Sequence, residues 1–419
     1  MKILMVCHYF APEIGAPQAR LSETSKVWAS LGHDVEVLTG MPNHPTGIVH
    51  DGYQGRKVVD EKHDGYRVVR TWLYATPNTG IVRKTLGHLS FMVTGLALGG
   101  PKLSKPDVVV VSSPTFFSIF TAWVLAKLWR RPLVVEVRDL WPGIFVELGV
   151  LTNRWVIGLL ERLELAAYRA ASTVVVVTEG FKKDLIRRGV PAAKVAVITN
   201  GVDLERFEPG PSSPEVRTRL GAESAKDILV VYIGAHGISH GLDSVLNAST
   251  RFESHVKLAF VGEGAEKPAL VDKAKVAGYT NVSFHNGVDR DEVLAIIRSA
   301  DVLLVPLRNI PLFETFIPSK MFEFMAVGTA VVGAVAGEAK DILERAGAPV
   351  VEPENPNALA ETINELASSA ELREKLGALG REFVEHAYDR RLLAVRYLGE
   401  LADSEGVFKA VDETTGSGR

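Results

Sequence analysis

The sequence predicts an α/β protein of two doubly wound domains with a cleft between them. Three observations predict it. Short runs rich in β-branched residues alternate with segments of helical spacing, the pattern of parallel strands joined by crossover helices. The alternation breaks at residues 200–227, NGVDLERFEPGPSSPEVRTRLGAESAKD, a stretch rich in Pro, Gly, Ser and charge that reads as a linker. Beyond the break the alternation restarts, so two halves of similar size are expected.

In the first half the expected strands are KILMVC (2–7), DVEVLT (34–39), YRVVRT (66–71), DVVVVS (107–112), PLVVEV (132–137), STVVVVT (172–178) and KVAVIT (194–199). Continuous apolar runs of this length suit strands buried on both faces. Between them, Gln18–Leu31 brings Ala19, Leu21, Val27, Trp28 and Leu31 to one side of a helix, and Gly32 stops it. Asn153–Ala171 reads as another helix, with Trp155, Leu159, Leu163 and Ala166 on one stripe. Leu86–Gly99 and Phe116–Trp129 are apolar but too short to span a bilayer, and suit a buried helix or an interfacial segment.

In the second half the strands are DILVVYIG (227–234), VKLAFVG (256–262), VSFHNG (282–287), DVLLVPL (301–307), TAVVGAV (329–335) and APVVE (348–352). Gly241–Thr250, Lys267–Ala277 and Asp291–Ser299 are the helices between them. The domains are therefore expected at 1–205 and 206–382. A helix at 383–401 is expected to pack back on the N-terminal domain, and the polar tail 402–419 to be loose.

Composition narrows the function. With 47% apolar and 23% charged residues, the chain is an ordinary globular protein and not a disordered, collagenous or coiled-coil one. A net charge of -3 gives no global basic excess, so nucleic acid is not an expected partner. The lone Cys7 excludes an intrachain disulfide and fits a reducing compartment. The N-terminal apolar run is too short for a secretory leader, so a cytoplasmic location is expected. The 11 histidines show no metal-ligand spacing, and H-E-x-x-H, C-x-x-C, G-x-S-x-G and the P-loop are all absent. No metal or other cofactor is expected.

In doubly wound domains, ligands gather where loops follow the carboxyl ends of strands. After the first strand, the loop 8–20 holds Gly15 just before a helix, where backbone N–H groups can approach an oxygen-rich ligand or simply make a turn. Asn43 and His44, in the loop after the second strand, are candidates for an acceptor pocket. Arg138, Asp139 and Trp141 follow PLVVEV. The first two suit either a site or a buried ion pair, and Trp141 suits a sugar-stacking ring or core. In the second half, Gly234, Gly237 and Gly241 precede a helix as a diphosphate cradle would, and His236 and His240 stand among them to add charge or hydrogen bonds. Gly262 and Gly287 end the next two strands. Lys320 and Glu323 lie three apart in PSKMFEF. A carboxylate can accept both hydroxyls of a ribose and a lysine can reach a phosphate, although a surface i,i+3 ion pair fits the same spacing. Asp289-Arg290-Asp291 precedes a helix, and the N-cap reading is preferred there to a metal-diphosphate motif.

In this order, VITNGVDLERF (197–207), FVGEGAE (260–266), VSFHNGV (282–288), ADVLLVPL (300–307) and PSKMFEFMAVGTAVV (318–332) resemble the family 4 retaining glycosyltransferases of the GT-B fold, along nearly the whole chain. FAPEIGAPQARL, MPNHPTG and EVRDLWP look like the bacterial subgroup near N-acetyl-fucosamine and related amino-sugar transferases of surface polysaccharide assembly. The resemblance implies two Rossmann-like domains and metal-independent transfer from a nucleotide sugar, most often a UDP-sugar. By motif, Glu323 would bind the ribose hydroxyls, Lys320 would lie near the diphosphate, Gly262 and Gly287 would frame the base, and Gly15 would sit over the phosphates.

Two departures stand out. The family's paired acids are separated by seven residues; counting back from Glu323 lands on Thr315, with Glu314 one position early, so either the loop shifts Glu314 into place or a backbone amide and Thr315 serve the donor sugar. The family's Arg and Lys around the Gly234 loop are replaced by Ala235 and His240. Attack from the leaving-group face, with a phosphate oxygen taking the acceptor proton, is expected on family grounds, with Asp139 as an alternative helper base. The acceptor is expected to be a glycan or a polyprenyl-diphosphate-linked glycan. Basic residues around Leu86–Gly99, across 83–105, suit a peripheral contact with anionic lipid at the inner face of the plasma membrane, or else a core helix. The alternatives are a GT-B UDP-sugar epimerase and a non-catalytic nucleotide-sugar-binding subunit. A nicotinamide oxidoreductase is disfavoured because neither first-strand turn has the glycine fingerprint.

Overall fold

Every apolar run expected as a strand lies in a sheet of the computed structural model. It describes the chain apart from residues 14, 45, 78–80, 114–115, 141, 144–145, 147–150 and 417–419, so Trp141 lies outside the described residues. The chain divides into two units, Met1–Thr199 with Arg390–Arg419, and Asn200–Asp389.

The first unit holds an eight-stranded sheet in the order β3-β4-β2-β1-β5-β6-β7-β8. Its strands are β1 Lys2–Val6, β2 Asp34–Gly40, β3 Val58–His63, β4 Tyr66–Thr71, β5 Val108–Ser112, β6 Leu133–Val137, β7 Thr173–Val176 and β8 Val195–Val197. All pair in parallel except β3, which is antiparallel to β4. β3 was not expected, because VVDEKH is half polar and has no continuous apolar run. The Asp64-Gly65 turn, both residues at positive φ, is the hairpin signal that marks it.

Among the described residues this unit has the crossover helices α1 Ala16–Ser30, α2 Ile81–Thr94, α3 Phe116–Trp129 and α4 Arg154–Ala170, and a shorter helix, Glu179–Arg187, follows β7. α1 leads from β1 back to β2. The other three lie on connections that run the opposite way along the sheet, from β4 to β5, β5 to β6 and β6 to β7. Right-handed crossovers therefore put α1 on one face and α2, α3 and α4 on the other. The helix Arg390–Gly416 covers the α1 face. Trp28 is fully buried, donates from Nε1 to the Ala394 carbonyl at 2.9 Å and meets the Tyr397 ring edge-on at 5.3 Å. Arg390 forms an ion pair with Glu23.

Three expectations about organisation are corrected. The expected linker is part of the second unit. Phe207 and Leu220 are buried there, and Arg217 reaches Asp301 at 2.8 Å and the Ser299 carbonyl at 2.8 Å, so the first unit ends at Thr199 and not at 205. The helix expected at 383–401 is two helices, Ala370–Ala387 and Arg390–Gly416. They break where Tyr388 stacks on Phe322 at 4.4 Å and gives its carbonyl to the Val202 N–H at 2.9 Å. Residues 402–416 of the expected loose tail continue that last helix, where Ser404 is buried and hydrogen-bonds Thr173.

The second unit holds an all-parallel sheet in the order β11-β10-β9-β12-β13-β14. The strands are β9 Ile228–Ile233, β10 Val256–Val261, β11 Val282–His285, β12 Val302–Pro306, β13 Ala330–Ala334 and β14 Val350–Val351. In each sheet the strand order reverses beside the first strand, at β1/β5 and at β9/β12. A crevice opens at such a switch point.

Candidate functional site

In the second unit the site grows from the turn after β9. Gly234 has φ +145 and Gly262, after β10, has φ +144. A Cβ on Gly262 would lie 1.9 Å from the Gly234 carbonyl oxygen, so the two turns touch backbone to backbone and only glycine fits. The Gly234 N–H donates to Val261 at 2.9 Å, and the His236 N–H to the Glu263 carbonyl at 2.8 Å, which ties the turns together.

Lys320 reaches this turn from the helix Lys320–Ala326. Its ammonium lies 4.0 Å over the Tyr232 ring and 3.5 Å from the Ile233 carbonyl, and would lie 3.2 Å from a Cβ on Gly234. Burial lowers its pKa to about 7, with Glu323 opposing. Glu323, one helical turn on, is raised to about 7 by burial, against Arg290, Arg206 and Lys320, which draw it down. The two are thus a half-buried ammonium and carboxylate poised near neutrality, not the fully exposed ion pair that the spacing also allowed. Arg206 and Tyr232 were not expected here. Only the fold brings a residue of the supposed linker and a core strand residue to Glu323 and Lys320.

His240 is half-buried, with its ring 5.9 Å from Tyr232 and a hydrogen bond to the Pro306 backbone. Burial, then Lys320, lowers it to about 3, and the same causes with Lys267 lower the buried His236 to about 4. Both imidazoles are neutral at pH 7. Of the two roles expected for them, charge is lost and hydrogen bonding remains. Gly237 leads into the short turn Ile238–His240. Gly287 donates its N–H to Glu263 at 3.3 Å. Beside it, Lys267 binds the His285 carbonyl at 2.9 Å and Asn286 at 3.0 Å, a clasp the sequence did not announce.

Glu314 and Thr315 lie in a short 3-10 turn, Pro311–Thr315. The Thr315 hydroxyl donates to the Leu312 carbonyl at 2.9 Å. The Glu314 side chain is exposed, and its backbone abuts Gly337, where a Cβ would meet its carbonyl at 2.0 Å. Among the described residues neither is joined to Lys320 or Glu323 by a hydrogen bond or ion pair. Asp289 caps Arg290–Ser299, accepting from Asp291 at 3.1 Å and Glu292 at 2.9 Å, as the N-cap reading required.

In the first unit, the turn after β1 carries Glu13, an acid with no local signal of its role. It is buried and accepts from the Phe10 N–H at 2.9 Å and from the Asn43 and His44 N–H groups, both at 2.8 Å. This one carboxylate fixes the loop of Asn43 and His44, although burial still raises its pKa. The Asn43 amide donates to the Met41 carbonyl at 2.9 Å. Around the loop stand His8, Tyr9 and His88, with ring centroids 4.4 Å between His8 and Tyr9, 4.1 Å between His8 and His88, and 5.4 Å between Tyr9 and His44. The Nδ1 atoms of His8, His44 and His88 are buried without a hydrogen-bond partner. Burial lowers all three, His88 to about 4, and so leaves a neutral cluster with hydrogen bonds to offer. Gly15 caps α1, beside the Gln18 side chain.

Arg138 and Asp139 follow β6. Beside them the buried Glu136 pairs with Arg20 at 2.9 Å. Glu136 stays below the usual carboxylate range because Arg20 and Arg138 outweigh its burial. Asp139 is raised by burial, with Arg138 opposing. The Arg138 Nε is buried without a partner. Among the described residues, no group of three or more His, Cys, Asp or Glu could hold a metal ion.

Two family domains match this chain in sequence. Residues 15–201 match the Glycosyl transferase 4-like domain, and residues 218–383 match Glycosyl transferases group 1. The chain is a glycosyltransferase. Its two Rossmann-like units are those of the GT-B class. It is 26% identical over 414 residues to WcaI of Escherichia coli strain K12, a glycosyl transferase named for colanic acid biosynthesis, covering 96% of this chain and 100% of that one. It is 28% identical to the sulfoquinovosyl transferase SQD2 of Arabidopsis thaliana, covering 88% of this chain and 67% of that one. Among solved structures, sucrose-phosphate synthase of Thermosynechococcus elongatus superposes with a TM-score of 0.74 at 20% identity, over 98% of this chain and 100% of that one. HepE of Anabaena, solved with UDP and glucose, superposes with a TM-score of 0.72 at 18% identity, over 96% of this chain and 100% of that one.

Proposed function

We propose that this glycosyltransferase is retaining and metal-independent, and moves a sugar from a UDP-linked donor to a glycan or lipid-linked acceptor in cell-surface polysaccharide synthesis. It would work at the cytoplasmic face of the membrane, and an amino sugar of the N-acetyl-fucosamine kind is the favoured cargo. The observation that carries the reading is Lys320. Its ammonium stands at the touching turns of Gly234 and Gly262, one helical turn from the Glu323 carboxylate. Breaking an anomeric bond builds negative charge on a leaving diphosphate. A preplaced ammonium and backbone N–H groups stabilise that charge without reorganisation. With His236 and His240 neutral, Lys320 supplies the charge and the imidazoles supply hydrogen bonds.

Glu323 takes the ribose hydroxyls, and the clasp at Gly287 and Lys267 frames the base. HepE, solved with UDP and glucose, supports the choice of nucleotide. A phosphate oxygen of the leaving group takes the acceptor proton. On the first unit, the neutral cluster at His8, His44 and His88 suits a hydroxyl-rich acceptor better than an anionic one, because no imidazole there carries charge.

A thermal-shift panel of UDP, GDP, ADP and their common sugars tests the donor. UDP and UDP-sugars are expected to raise Tm well above the others. A larger shift with GDP or ADP would refute the UDP assignment.

A further inference from the structure

α4 is turned inside out. Its buried side carries Glu164, which forms an ion pair with Arg188 and accepts from the Tyr168 hydroxyl at 2.9 Å. Its apolar stripe, which an ordinary surface helix would set against the core, faces outward, with Trp155 90% exposed and Leu159 58% exposed. The neighbouring helices do the same. α3 packs against both α2 and α4, and all three lie on one face of the sheet. α3 presents Phe120 and Trp123 as an aromatic pair 5.8 Å apart, and α2 presents Leu86 and Leu89. A contiguous apolar face of this breadth marks an interaction surface.

Charge names the occupant. From Gly65 to Val135 the chain has nine Lys and Arg and a single acid, Asp107, whereas the rest of it has 38 basic and 49 acidic residues. Arg67 and Arg70 of this segment are taken by Glu36, Asp60 and Glu61. Arg83 and Lys84 open α2, Lys127 lies on the Phe120–Trp123 stripe of α3, and Arg130 and Arg131 follow its end. Exposed tryptophan, phenylalanine and leucine among lysines and arginines form the chemistry of an anionic interface, where rings enter the headgroup level and cations meet lipid phosphates. Among the described residues no helix is long and apolar enough to cross a membrane.

We propose that the first unit docks on anionic phospholipid bilayers through the α2–α3–α4 face. This rests on the membrane placement proposed above and names the surface that makes it, while the binding itself is read without donor or transfer. It also widens the contact beyond the segment 83–105 to α3 and to the outward stripe of α4.

The test is flotation of the full chain at low salt with vesicles of phosphatidylcholine, alone and with phosphatidylglycerol added. The chain is expected to float with the anionic vesicles only, and to be partly released by salt. Trp155→Glu and Leu159→Glu should each lower the partition roughly tenfold or more. Arg130→Gln and Arg131→Gln should each lower it about fivefold. Val276→Glu, which alters an exposed apolar side chain of the second unit, should leave it unchanged. Melting curves check that each variant is folded. The proposal falls if the folded chain ignores anionic vesicles, or if Val276→Glu weakens binding as much as Trp155→Glu. It also falls if the chain is a stable dimer that Trp155→Glu dissociates, because the face would then belong to a second copy.

Discussion

Glu323→Gln keeps the side-chain volume and removes the negative charge from among Arg290, Arg206 and Lys320. If Glu323 accepts two ribose hydroxyls, the variant loses charge-assisted hydrogen bonds worth on the order of 1.5–3 kcal/mol. UDP should then bind about 10- to 150-fold more weakly. At a UDP concentration of about one hundred times the wild-type Kd, the ligand adds about 2.7 kcal/mol to stability. For a unit of this size that is about 5–10 °C in Tm. At the same concentration the variant should gain only about 0.3–1.3 kcal/mol, a shift of a few degrees at most. Each protein is compared with its own unliganded melting curve, because removing a carboxylate from beside three cations also alters the free protein. A Glu323→Gln protein that keeps the full UDP shift would show that the ribose is held elsewhere.

Lys320 and Glu323 set the pH dependence. Lys320 is depressed to about 7, so its charge is present below pH 7 and lost above it, while Glu323 is raised to about 7, so its charge is present above pH 7 and lost below it. The affinity for a UDP-sugar, whose diphosphate does not titrate near neutrality, should peak near pH 7, with limbs that belong to the coupled pair. Glu323→Gln should remove the acid limb and Lys320→Met the alkaline one, and a flat wild-type profile would contradict this. Lys320→Met should also lower turnover about 10²–10³-fold with little loss of stability, read in a steady-state assay. Glu13→Ala should cost on the order of 3 kcal/mol in denaturant unfolding, because it strands the Phe10, Asn43 and His44 N–H groups. Glu13→Gln, which keeps an acceptor oxygen, should cost less.

Much of this architecture was legible in residue order. The continuous apolar runs became strands because a strand buried on both faces needs no other local property. The polar β3 escaped, since its place at the sheet edge is a fact about β4. Lys320 and Glu323 stood out by motif, yet their spacing fitted an exposed ion pair equally well. Burial beside Tyr232 separates those readings, and Tyr232 lies 88 positions before Lys320 in the chain. Glu13 and His88 gave no local signal. One is defined by the three N–H groups it gathers, the other by its ring contact with His8.

The sequence alone determined which apolar runs are strands, where the turns of the second unit need glycine, and which apolar residues share a stripe of α4. Those properties depend on neighbours a few residues away, through steric limits on φ and the helical and strand periods. Tertiary structure alone decided that the α4 stripe faces outward, that His240 is neutral, and that an ammonium and a carboxylate both titrate near pH 7. Direction and protonation depend on desolvation and on charges contributed from distant parts of the chain, and no local pattern encodes them.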